Sequence, residues 1–96
     1  MDVMAELYRD DAIVLDGLRD HAARDPDRLA LVYGPTEQTW SFGGLFDTVC
    51  RAAAGLRSLG VQPGDRVAVF TQGPLSPTVL MFATWQCGAI FAPVPP

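Results

Sequence analysis

"AAAGLRSLGVQPGDRVAVF", Ala52 to Phe70, is the stretch that decides the fold. Leu45, Val49, Cys50, Ala53, Leu56 and Leu59 keep helical spacing up to and into it, so it opens as the second half of a helix. Gly60 stands where that helix should stop, because glycine adopts the left-handed conformation of a C-terminal cap at little cost. Pro63-Gly64 then places Pro second and Gly third, as a type II turn requires. Arg66 to Phe70 is a near-continuous apolar run, the pattern of a strand covered on both faces by helices.

Downstream, Gly73 to Pro77 reads as a loop. Ser76 is a candidate N-cap, with Pro77 in the first helical position. Pro77 to Cys87 contains VLMFATW, apolar almost all round, and predicts a helix buried on more than one side. Gly88 ends it, and Ala89 to Val94 reads as a strand. The order helix, strand, helix, strand with short links implies a parallel sheet with crossover helices.

Upstream, Asp11 is a candidate cap for a helix from Ala12 to about Ala23, with Val14, Leu18 and Ala22 as its apolar stripe. Asp20 with Arg24, and His21 with Asp25, are neighbours one turn apart on its wetter side. Asp25-Pro26 closes the helix, since the residue before proline resists the helical region. LALVY, Leu29 to Tyr33, reads as a strand that Gly34-Pro35 turns back onto Gln38 to Ser41. Ser41 then caps the following helix. The expected fold class is α/β: a partial three-layer sheet with helical crossovers and a short N-terminal β-hairpin. Residues 1–11 are expected to be a flexible lead-in, and 12–96 a single unit.

The chain has 96 residues, enough for one small domain with a modest core. It is 49% hydrophobic and 19% charged, which is globular composition. Its net charge of −4, with no basic cluster, argues against nucleic acid as a partner. Cys50 and Cys87 sit in apolar contexts without a CxxC and read as reduced, buried thiols. The acidic start MDVMAELYRDD has no long apolar run and does not read as a signal peptide. Val79 to Val94 is broken by Gln86, Gly88 and Pro93, whereas a membrane-spanning helix needs about 20 apolar residues in a row. A cytoplasmic protein without a membrane span is expected.

Residues that could carry chemistry are few. His21 is the single histidine, set among Asp and Arg on an amphipathic helix, and reads as a solvated side chain. One His and two distant Cys make no zinc site. Ser41, Ser58 and Ser76 have neither a nearby base nor a GxSxG elbow. Gly43-Gly44 opens a helix and could present backbone N–H groups to an anion. The pattern is FGGL, however, with no following lysine. Gly73-Pro74 reads as a plain strand-to-helix turn. The aspartates at 10, 11, 16, 20, 25 and 27 fit no calcium loop and read as a charged helix face. Trp40, Phe42, Phe46, Phe70, Phe82, Trp85 and Phe91 are expected to pack in the core.

Taken in order, "LRDHAARDPDRLALVYG", "TWSFGGL", "AAAGLRSLGVQPGDRVAVF" and "MFATWQCGAIFAPVPP" resemble the N-terminal part of the adenylate-forming enzymes. That superfamily comprises the acyl-CoA synthetases, peptide-synthetase adenylation domains and luciferases. The resemblance runs from about Ala12 to Pro96. Its members usually carry an acidic residue where Gly44 stands, and glycine there weakens helix entry. Gly88, Ala89 and Pro93 match the block written "aGAvyvPlnP", while Pro95 replaces its usual Asn or Asp. TQGPLSPTVL lacks the Asn and Glu of the usual "pNspe". The missing Asp tilts the resemblance toward acyl- or aryl-CoA ligases.

The resemblance implies an ATP-dependent ligase that forms an acyl-adenylate and then a thioester. ATP, Mg2+ and coenzyme A are implied for the full-length family, and none is expected to bind this chain alone. The family's phosphate loop, adenine-binding segment, ribose-binding Asp, hinge and catalytic lysine match nothing here. All seven basic residues are arginine. No catalytic, cofactor-binding or metal-binding residue is carried over. The chain is thus expected to be an incomplete N-terminal piece, inactive alone. Its partner would be the remainder of the adenylation domain, or a second chain covering the sheet edge. Two other readings stand beside it: a non-enzymatic α/β interaction module or decayed remnant, and a small nucleotide-binding domain using the FGGL turn.

Overall fold

The computed structural model describes residues 14–34, 37–70 and 76–95. In chain order they form α1 (Val14–Arg24), β1 (Leu29–Tyr33), β2 (Gln38–Ser41), α2 (Phe42–Ser58), β3 (Arg66–Val69), α3 (Ser76–Gln86) and β4 (Ile90–Pro93). The mixed α/β architecture expected from the sequence is present. The Asp11 cap and the loop at Gly73-Pro74 lie outside the described residues, as does the side chain of Ser76.

The strands form two separate pairs. β1 and β2 make an antiparallel hairpin, with Leu31 opposite Trp40 and Tyr33 opposite Gln38. Leu29 pairs with Ser41, so Ala30 is an extra residue in β1. Such a bulge bends the strand and re-aims its side chains. Here Ala30 packs against the core while Leu29 and Val32 stay exposed. β3 and β4 run parallel, with Arg66 opposite Ile90 and Val69 opposite Pro93. α3 is the crossover between them, as a parallel pair demands.

α2 is the organising helix. Ser41 Oγ accepts from Gly44 N at 3.1 Å and caps it. Leu45 and Val49 join Leu18 of α1 and Val79 of α3 in one buried cluster. Ala53 joins Ala83, Cys87 and Ala89 in a second. Ala53 and Ala83 are fully buried, and their small side chains let α2 and α3 approach closely. Burying Val49 completely contributes about 1.5–3 kcal/mol.

Both core helices end in the same motif. After α2, Gly60 is left-handed (φ +99°), Val61 N donates to Leu56 O and Gly60 N to Arg57 O. After α3, Gly88 is left-handed (φ +72°), Ala89 N donates to Thr84 O and Gly88 N to Trp85 O. These are Schellman caps, which satisfy carbonyls the helix leaves open. Arg57 Nη2 adds a 2.9 Å bond to Gln86 O and ties the two helix ends together.

The type II turn is present: Asp65 N donates to Gln62 O and Gly64 has φ +88°. It is bolted to the second cap by Gly64 N to Gly88 O at 2.9 Å, and Ile90 N to Asp65 O starts the parallel ladder.

Candidate docking site

The residues most able to carry chemistry are held in local structure. The FGGL turn is the clearest case. Phe42 N donates to Arg28 O, Gly43 N to Pro26 O and Gly44 N to Ser41 Oγ. An anion at this helix start would meet N–H groups that already have partners. A Cβ on Gly43 would lie 2.9 Å from Pro26 Cβ. The glycine is therefore needed for close packing against the turn after α1, and the nucleotide-binding reading of FGGL loses its basis.

His21 is exposed and stacks on Phe42, ring centroids 4.8 Å apart. The pair borders a cavity of about 230 Å³ lined by Leu18, Leu31, Leu45 and Phe82. Arg19 bonds Asp16 at 3.0 Å and lies 3.9 Å from Asp20, so the acidic face of α1 is balanced by its own arginine. Among the described residues, no group of three or more His, Cys, Asp or Glu is placed to hold a metal ion. Cys87 is buried with Sγ 3.5 Å from Ala53 O. Cys50 is half-buried, and Gln86 Nε2 lies 3.6 Å from its Sγ. Gln86 Oε1 is buried without a hydrogen-bond partner. Turning that amide over would let the oxygen accept from the Cys50 thiol.

What remains open is a surface. In β3 and β4, Val67 packs toward the α2–α3 core and Val69 is buried. Side chains alternate along a strand, so Arg66, Ala68, Phe70, Ile90, Ala92 and Val94 share the opposite side. There Phe70 is 67% exposed, Ile90 52% and Val94 44%. No described residue covers this side. The expectation that Arg66 to Phe70 is covered on both faces is met on one face only.

Spacing alone missed this face, because an apolar run looks the same whether or not a second layer is present. Phe70 and Trp85, expected in the core, are exposed, and so is Leu59, which is 84% exposed where α2 ends. The outer edges of β3 and β4 have no strand beside them among the described residues. Apart from Arg66 at its start, this is an apolar sheet face with open edges, a place for further polypeptide.

Residues 18–96 match the model of the AMP-binding enzyme family, and the chain belongs to that family. It is 43% identical over 75 residues to a feruloyl-CoA synthase of Amycolatopsis sp., covering 76% of this chain and 14% of that one. It is 36% identical over 94 residues to the 2,3-dihydroxybenzoate-AMP ligase of Bacillus subtilis, covering 93% of this chain and 17% of the relative. The N-terminal subdomain of NpsA from Klebsiella oxytoca, solved with 3-hydroxybenzoyl-AMSN, superposes with a TM-score of 0.76. That match has 27% identity and covers 84% of this chain and 20% of the other. The N-terminal domain of FACL13 from Mycobacterium tuberculosis gives 0.74 at 27% identity, covering 81% and 20%. The chain thus spans a fifth or less of the length of these relatives.

Proposed function

We propose that this chain supplies the N-terminal scaffold of an ATP-dependent acid–thiol ligase. Such an enzyme joins a carboxylic acid to AMP and then passes the acyl group to a thiol such as coenzyme A. The observation that carries this reading is the open apolar face of β3 and β4, in a chain that aligns with a fifth or less of each relative compared above. Later segments of an adenylation domain would cover that face and bring the groups that act on ATP. The residues described here do not fit ATP and Mg2+. The helix-start amides already have partners, and no acidic cluster is placed to hold a metal. No catalytic step is therefore assigned to them, and the 96 residues alone are inactive in this reading. The open edge also suits a separate chain that completes the sheet, a second route to the same cover. No described helix is long and apolar enough to cross a membrane. A cytoplasmic location is part of the proposal.

The test begins with an immunoblot of source cells against this region. A band several times larger than 10.4 kDa is expected. The larger polypeptide should then exchange pyrophosphate into ATP in the presence of an aliphatic or aromatic acid. Acid-dependent exchange by the 96 residues alone would overturn the scaffold reading. A band near 10.4 kDa would turn the search to a partner chain.

A further inference from the structure

We draw no further inference here: the strongest candidate, the apolar cavity beside the His21–Phe42 stack between α1, β1 and α3, carries nothing because nothing in the structure shows what fills or covers it.

Discussion

Replacing Gly43 by alanine tests whether this glycine serves packing or ligand binding. The added methyl would sit 2.9 Å from Pro26 Cβ and 3.1 Å from Pro26 O. Carbon atoms rest about 3.5–4.0 Å apart, so the methyl intrudes by roughly 0.6 Å. The obstacle cannot swing away, because it is a proline ring and its own carbonyl. Relief requires moving the first turn of α2 off the turn after α1. That movement strains the bonds from Gly43 N to Pro26 O and from Phe42 N to Arg28 O. Overpacking of this kind costs about 1–3 kcal/mol. A weakened hydrogen bond adds up to about 1 kcal/mol. Alanine returns up to about 1 kcal/mol of helix propensity. The last two roughly cancel, so the expected net is a loss of about 1–3 kcal/mol, or some 4–24 °C in melting temperature for a domain of this size. Urea unfolding followed by tryptophan fluorescence at low protein concentration would measure it. Gly44→Ala is the control one residue along. It is exposed and meets only Ser41 Oγ, at 3.2 Å, so it should be neutral or stabilising. Gly43→Ala as stable as wild type would refute the packing argument. Loss of ATP binding by Gly43→Ala at unchanged stability would restore the anion reading.

Ser41→Ala removes the cap on Gly44 N and should cost about 1 kcal/mol by chemical denaturation. Gly44→Glu places an acid in a first turn that has none and completes an S-x-x-E box, and should raise stability by about 1 kcal/mol; a lower denaturation midpoint would contradict it. Gly88→Ala forces a left-handed alanine whose Cβ lies 3.3 Å from Pro63 Cβ, while Gly60→Ala bears a left-handed conformation in open space. The first should therefore cost more than about 1–2 kcal/mol and the second about that much; equal losses would show that the contact with Pro63 adds nothing. The 96 residues alone should self-associate, and Phe70→Ser with Ile90→Ser should reduce this without lowering stability by more than about 0.5 kcal/mol. Light scattering that shows the same association state for both proteins would remove the docking role of this face.

Features that depend on neighbouring residues were legible in the sequence. The cap at Ser41, the type II turn at Pro63-Gly64 and the stops at Gly60 and Gly88 each follow from what one or two residues permit in their backbone. The apolar stripe of α2 was legible for the same reason, since Leu45, Val49 and Ala53 recur at helical spacing. The bulge at Ala30 was not, because it answers to the core behind the hairpin rather than to LALVY itself. Nor was the bond from Gly64 N to Gly88 O, which joins two turns distant in sequence. Exposure of Phe70, Trp85 and Leu59 was hidden for a related reason: hydrophobicity states what a side chain prefers, while cover depends on which other segments arrive. The FGGL turn shows the reverse case. Its glycines suggested room for a ligand, and the room at Gly43 is taken by Pro26.

The same reasoning separates scaffold from chemistry in this chain. Many of its reactive oxygens and sulfurs have a backbone partner close by. Thr48 Oγ1 donates to Gly44 O, Ser58 Oγ to Gly55 O and Thr84 Oγ1 to Leu80 O. Asp65 Oδ2 accepts from Gln62 N, and Ser41 Oγ from Gly44 N. A nucleophile or base needs a neighbour that changes its proton affinity and space for a substrate beside it. These groups have instead a helix carbonyl or a turn amide, which fixes backbone. Apart from Gln86 Oε1, what is left uncovered among the described residues is apolar area and strand edge. Covering Phe70, Ile90 and Val94 is worth up to about 1.5–3 kcal/mol for each side chain fully buried. In the scaffold role proposed above, a larger adenylation domain would gain that stabilisation as its remaining segments dock on this face.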